Sequence, residues 1–336
     1  MTEALLTDRE AVLEALRSAD SLIVVTHENP DGDALGSLIA MQQILRALGK
    51  DVVTFVAAEE FPLPHEYRFL PLEDLVTEPP ADLDGRCIVF LDCGNLERNP
   101  ATAFGEADSA ILNIDHHHDN TRFGTVNLVD PAASCTAEIV WDLMHRLDVP
   151  PTPTVAEALY VGLITDTGRF MYENTSPRAH LMAAELIEAG VDVHDVYHRI
   201  YEGVPYGKLA LLARGLSKVE RYDEGRLTLT ALSAEDFAES DAEESYSEGV
   251  VDHLRAVQGT AVAALVRDRL PAELDPADGH RVRKVSLRAV DERVDVSAIA
   301  RAQGGGGHRQ AAGFTTALSW GDLVDFLRGE VARQLA

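Results

Sequence analysis

Four short apolar runs, SLIVVTH (21–27), DVVTFVA (51–57), CIVFLD (87–92) and AILNID (110–115), alternate with stretches of helical period. Runs this short and this continuously apolar read as strands buried on both faces. Strands that alternate with helices have few ways to pack, and the simplest is a parallel sheet in an α/β domain. In such sheets ligands sit beyond the carboxyl ends of the strands. Three of the runs stop at a polar residue, His27, Asp92 and Asp115, so their ends are expected to converge on one crevice.

The helices can be placed around these strands. Thr7 and Glu10, ahead of Val12, Leu13 and Leu16, form a T-x-x-E pair that reads as a capping box. DALGSLIAMQQILRALGK has helical period and stops at Gly49. Residues 134–147 and 154–167 read as helices, and 177–219 as helical throughout. Beyond about 220 the pattern changes to RLTLTAL, TAVAALVRD and RVRKVSLRAV, with helices near 247–257, 295–302 and 319–334. That layout is α+β. The acidic stretch 233–248 reads as a solvated helix or loop. A chain of 336 residues suits two domains of about 150 residues each. The expected division is a catalytic domain over 1–200, a helical linker over 201–222 and a smaller domain over 223–336.

Charge limits the partners. Lys and Arg total 29 against 56 Asp and Glu, a formal net charge of −27. Long nucleic acid is held by a basic footprint, which this chain lacks. An anionic ligand must therefore be short and held locally, and bound divalent cations are the obvious source of local positive charge. The same acidity also serves plain solubility. The three cysteines, Cys87, Cys93 and Cys135, form no CxxC pair. A reducing compartment fits them, and the N-terminal MTEALLTDRE has no signal-peptide pattern, so a cytoplasmic protein is expected. The longest apolar runs fall short of a membrane span.

Four segments carry chemistry: THENPDGDALGS with His27, Asp31 and Asp33; FLDCGN with Asp92; NIDHHHDN with Asp115, His116, His117 and His118; and GLITDTGRF with Asp166. Each has a bland reading on its own. Asp31 and Asp33 suit a turn, Asp33 or Asp92 could cap a helix, and His27 could be a satisfied strand-end histidine. A carboxylate at Asp166, on an otherwise apolar helix, is costly unless paired. So many carboxylates at one sheet edge would repel one another, and divalent cations would remove that penalty. Carboxylates and imidazoles without a thiolate suit Mn2+ or Mg2+ better than structural Zn2+. Two such ions can activate a water and clamp phosphoryl oxygens.

Asp115-His116-His117, with HENPDGDALGS upstream and DTGRF downstream, resembles the DHH phosphoesterase superfamily. KVSLRA (284–289), RVDVSAIAR (293–301) and GGGGHRQAAGF (304–314) resemble the DHHA1 substrate-binding domain. The pair is similar to the NrnA-like oligoribonuclease and pAp-phosphatase group, which includes enzymes acting on pApA and cyclic di-AMP. The resemblance runs over roughly residues 15–330. It implies a parallel-sheet DHH domain with helices on both faces, joined to an α+β DHHA1 domain. It also implies two Mn2+, with Mg2+ or Co2+ accepted by the same ligands. His27 and Asp31 would hold one ion, Asp33, His116 and Asp166 the other, and Asp92 would bridge them. Asp115 would orient His116, and His117 would sit by the scissile phosphate. A hydroxide shared by the ions would be the nucleophile. Arg169 is a candidate phosphate contact or a helix-end cation, and His118 is expected to be peripheral. In the second domain Gly305, Gly306, Gly307 and His308 would bind a phosphate or terminal nucleotide, with Arg288 as a second contact.

The implied substrates are short RNA or small nucleotides, and the implied assembly is a homodimer. Two alternatives stay open. One is a DHH enzyme acting on inorganic pyrophosphate, against which the glycine-rich GGGGHRQAAGF counts. The other is a non-catalytic nucleotide-binding regulator, against which the full ligand set counts.

Overall fold

The computed structural model describes residues 3–269, 283–307 and 309–336. They form two compact units, 1–203 and 204–336.

The first helix, α1, spans Glu3–Ser18. Thr7 lies inside it, and its hydroxyl donates to the Glu3 carbonyl one turn back at 3.1 Å. The expected capping box at Thr7 is therefore corrected. The helix starts earlier because Leu5 extends the apolar stripe of Val12, Leu13 and Leu16 onto the core.

The strands follow as β1 (Ser21–Val25), β2 (Asp51–Phe55), β3 (Leu75–Val76), β4 (Cys87–Leu91), β5 (Ile111–Asp115) and β6 (Val126–Val129). Helix α2 (Gly32–Ala47) connects β1 to β2. The sheet order is β3-β2-β1-β4-β5-β6 and every pairing is parallel. The chain builds outward from β1 to β3, then returns to place β4 on the other side of β1. That reversal opens a crevice at the carboxyl ends of β1 and β4.

Successive strand residues face opposite ways. Leu22 and Val24 join the core beneath α1, α2 and three later helices: α4 (Thr136–Arg146), α5 (Pro153–Asp166) and α6 (Pro177–Glu188). Ile23 and Val25 face a smaller core with Phe55, Phe90 and Phe104. Phe104 comes from the four-residue α3 (Ala103–Glu106).

The expectation of continuous helix over 177–219 is corrected. After α6 the chain turns at Gly190, with φ 111°, into α7 (Val193–Tyr197) and a π turn over His198–Glu202. Pro205 then precedes α8 (Tyr206–Ser217), which belongs to the second unit.

That unit carries β7 (Glu220–Tyr222), β8 (Leu227–Leu232), α9 (Ala234–Ser240), α10 (Val250–Arg255), β9 (Val262–Asp268), β10 (Arg283–Ala289), α11 (Val296–Arg301), β11 (Gly306–Gly307), β12 (Ala311–Thr316) and α12 (Trp320–Leu335). Its sheet order is β11-β12-β10-β9-β8-β7, antiparallel except for β8 beside β9. The whole is α/β followed by α+β. No helix among the described residues is long and apolar enough to cross a membrane.

Candidate metal centre

Register explains why the strand-end residues meet. Val25 pairs with Phe90, and Leu91 with Ile114. Two residues past Val25 is His27, two past Phe90 is Asp92, and one past Ile114 is Asp115. Each side chain therefore emerges at the same sheet edge. Asp92 leaves its strand with φ 58°, a backbone conformation uncommon outside glycine and typical of functional sites.

Asp31 and Asp33 arrive on the first turn of α2. Asp31 is its N-cap, with Oδ1 accepting from the amides of Asp33 and Ala34, both at 3.0 Å. The capping role open to Asp33 thus falls to Asp31. Asp33 is buried and turns instead to the N-terminus of α4, accepting from the Thr136 amide at 2.7 Å and the Ala137 amide at 2.9 Å. Unpaired helix-start amides and the helix dipole both favour an anion there. Asp166 is the last residue of α5, where the Asn174 side chain donates from Nδ2 to its Oδ2 at 3.0 Å.

One ligand-type atom from each of His27, Asp31 and Asp92 lies within 4.8 Å of the others, and the same holds for Asp33, His116 and Asp166, and for Asp92, His116 and His117. The groups share Asp92 and His116. His27 Nδ1 is 2.6 Å from the Glu28 carbonyl. A carbonyl only accepts, so Nδ1 carries a proton, and Nε2, 3.4 Å from Asp92 Oδ2, is the nitrogen that faces the centre and that a metal ion would take.

The expectation that Asp115 orients the His116 ring is corrected. Asp115 Oδ1 accepts from the His116 backbone amide at 2.8 Å, but the ring it engages is that of His117, at Nδ1, 2.7 Å away. The two side chains sit two positions apart, on the same side of an extended chain. Asn120 donates to the other Asp115 oxygen at 2.5 Å.

The charges are held against their preferences. Burial raises the Asp33 carboxyl well above its ordinary value, and the charges of Asp92, Asp166 and Asp31 push it further. Burial likewise lifts Asp166 to about 6, with His116 opposing. Asp31 is exposed by surface area, yet the protein packed round it and the Asp92 charge raise it too. Asp92 goes the other way. Burial would raise it, but the His27 hydrogen bond and the three neighbouring histidines hold it well below the carboxylate range. Burial would lower His117, and the Asp115 hydrogen bond with the Asp92 and Asp115 charges reverses that, lifting it to about 9. A site that strains three carboxyls toward protonation is one that divalent cations relieve, and an all-oxygen and imidazole donor set suits Mn2+ or Mg2+.

Other candidates lie elsewhere. Arg169, at φ 62°, stacks its guanidinium over Tyr201 at 4.9 Å. His118 is exposed. In the second unit Arg288 lies on β10 and faces Asp252 at 3.8 Å. The Gly305 amide donates to the Ala300 carbonyl at 2.9 Å, closing the end of α11. That amide is therefore occupied, whereas Gly306 and Gly307 pair along β12. His308 lies outside the described residues.

Thr136, Asn174 and Asn120 complete the centre, and sequence reasoning assigned them no role. Thr136 Oγ1 donates to Asp92 Oδ1 at 2.9 Å. The one local signal was the polar start of the helix after Cys135.

Fold and site together define a two-unit α/β protein with a carboxylate–histidine centre at the switch point of a parallel sheet. Residues 21–163 match the DHH family, N-terminal domain, and residues 228–334 the DHHA1 domain. The bifunctional oligoribonuclease and PAP phosphatase NrnA of Thermus thermophilus is 35 % identical over 309 residues, covering 90 % of this chain and 87 % of the relative. A probable bifunctional oligoribonuclease and PAP phosphatase NrnA of Streptococcus mutans is 26 % identical, covering 92 % and 93 %. The chain belongs to the NrnA-like group of the DHH/DHHA1 phosphoesterase family. In fold it is similar to an exopolyphosphatase-related protein from Bacteroides fragilis, with TM-score 0.85, 24 % identity and coverage of 98 % and 96 %.

Proposed function

We propose that the chain is a two-metal phosphodiesterase that hydrolyses short oligoribonucleotides and small nucleotides, such as pApA, pAp or cyclic di-AMP, to mononucleotides. The observation that carries this reading is the set of overlapping ligand groups that share Asp92 and His116. The names of the two NrnA relatives support the substrate class.

His27, Asp31 and Asp92 would hold one Mn2+, and Asp33, His116, Asp166 and Asp92 the other. Ions held there supply an activated water and neutralise the charge on phosphoryl oxygens. The residues of the chain do the rest. Asp115 holds Nδ1 of His117, which leaves Nε2 free to carry a proton toward the departing oxygen. Thr136 and the α4 amides fix Asp92 and Asp33 before any ligand arrives. Arg169, and in the second unit Arg288, Gly306, Gly307 and His308, are the proposed nucleotide contacts. The cysteine pattern supports a cytoplasmic location and the family resemblance a homodimer, the latter testable by sedimentation.

The test is a product assay with Mn2+ over pAp, pApA, cyclic di-AMP, a short RNA and pyrophosphate. AMP released from pApA and short RNA, and lost on adding EDTA, is the expected result. Asp33→Ala and Asp166→Ala should each lower turnover by at least about 1,000-fold, a few kcal/mol of transition-state stabilisation, with the circular dichroism spectrum unchanged. Near-normal turnover in either variant sinks the proposal.

A further inference from the structure

We infer that Arg98 is an anion-recognition residue of the first unit, whose guanidinium takes a non-bridging phosphate oxygen of the nucleotide beside His27 and His117. The identity of the anion rests on the function proposed above; the placement does not.

Arg98 ends a short 3-10 turn, Leu96–Arg98, just beyond Asp92. Its backbone is sewn to the loop that carries His27. The Glu28 amide donates to the Arg98 carbonyl at 2.6 Å. The buried Asn99 beside it donates from Nδ2 to the Thr26 carbonyl at 2.6 Å. Asn95 Oδ1 accepts from the Arg98 amide at 3.0 Å and holds the turn. The residue is therefore fixed against the loop that follows β1. The same turn meets the loop that carries His117, where the Thr121 amide donates to the Gly94 carbonyl at 2.8 Å and Asn120 Nδ2 to the Cys93 carbonyl at 3.2 Å. Arg98 thus stands on a turn bonded to both the loop of His27 and the loop of His117.

Among the described residues this half-buried side chain has no hydrogen bond or ion pair. Other arginines of the same unit behave differently. Arg46, Arg86, Arg122 and Arg178 each engage an aspartate within 3 Å. In a chain of net charge −27, beside a centre built of carboxylates, an arginine that pairs with none of them has been left for another anion. A planar fork of donors matches the oxygens of a carboxylate or a phosphate, and a nucleotide supplies the phosphate. The competing account is a general charge-balancing role, which would be indifferent to the phosphate on the ligand.

Calorimetry separates the two. AMP, with adenosine as the uncharged control, is titrated into Mn2+-loaded wild type, Arg98→Ala, Arg98→Gln and Arg98→Lys, and Mn2+ is titrated separately. Loss of a charged hydrogen-bonding partner should weaken AMP binding by about 10- to 100-fold in the Ala and Gln variants. Adenosine and Mn2+ affinities should hold, and Lys should restore part of the loss. The Gln variant keeps the test alive if the Ala variant does not fold. AMP affinity unchanged in Arg98→Gln overturns the inference, including the case in which AMP binds only in the second unit. A wild type that hydrolyses none of the substrate panel, yet loses AMP in Arg98→Gln, ends the phosphodiesterase proposal and keeps the anion site. Normal hydrolysis with unchanged AMP affinity does the reverse.

Discussion

A single carboxyl shows how the centre trades stability for chemistry. Asp166 titrates near 6 because burial strips its water, while Asp92 and Asp31 repel its charge. An unfolded aspartate titrates near 3.9. Between those values the unfolded chain ionises Asp166 and the folded chain does not. The stability it contributes is full below about 4 and is lost as pH rises through about 6. In EDTA at pH 7, Asp166→Asn should therefore melt higher than wild type, by about 2–4 °C, and the gap should close by pH 4. Mn2+ should reverse the order, because only wild type keeps the whole ligand set. A variant that melts below wild type in EDTA at pH 7 would show that the Asn174 hydrogen bond outweighs the buried charge. At the same scale Asp31, Asp33 and Asp166 were legible from type and position, as carboxylates at element ends. Asn174 was not. Its side-chain amide reaches Asp166 only because the chain after α5 turns back on itself, through left-handed Gly168, Arg169 and Phe170.

At the scale of elements, the centre depends on how closely α5 approaches α2 and α4. A Cβ on Gly162 would lie 2.8 Å from Asp33 Oδ1 and 2.8 Å from the Ala137 side chain, and one on Gly36 would lie 2.3 Å from the Ala158 carbonyl. Neither glycine needs a left-handed backbone; both are small so that helices can touch. Gly162→Ala should cost about 1–3 kcal/mol through overpacking. It should also weaken Mn2+ binding, because it pushes on the carboxylate that the α4 amides hold. Gly329→Ala on α12 is the control. Its added methyl meets nothing within 4 Å, so melting temperature should hold or rise slightly. Differential scanning fluorimetry with and without Mn2+ reads both effects. An unaltered metal response in Gly162→Ala would mean that Asp33 tolerates displacement. The period of each helix was readable in the sequence, since Val12, Leu13 and Leu16 mark α1 without any partner. Where α1 begins was not, because the packing of Leu5 decides it rather than the local capping pattern at Thr7.

For the whole molecule, the charge of −27 sets what kind of nucleic acid can be a substrate. Each phosphate neutralised by a protein cation releases counterions, so affinity for long RNA falls steeply with salt. A chain with so large an acidic excess should show a shallow salt dependence and should gain nothing from added length. Rates on a very short oligomer and on a long single strand, measured across a salt series, check this. A preference for the long strand, with a steep salt slope, would contradict it. Each unit has its own apolar core, one around Leu38, Val89 and Leu159 and another around Leu229, Val285 and Leu327. That separation agrees with the change of pattern along the chain, from parallel runs with helices to β8, β9 and β10.

Local information determined a good deal. Continuous apolar runs bounded by turn residues defined β1, β2, β4 and β5, and a polar residue at the end of a run marked His27, Asp92 and Asp115. Period and end residues are properties of a few consecutive positions, so a sequence carries them openly. Tertiary structure alone decided that β4 lies beside β1 rather than beyond β3, and it is this that brings Asp92 to His27. It also directed Asp33 to the amides of Thr136 and Ala137, more than a hundred residues away, and gave the Asp115 carboxylate to the His117 ring instead of His116. Those outcomes depend on strand order, register and interhelix distance. No local pattern encodes them, because each is set by what the rest of the chain leaves room for.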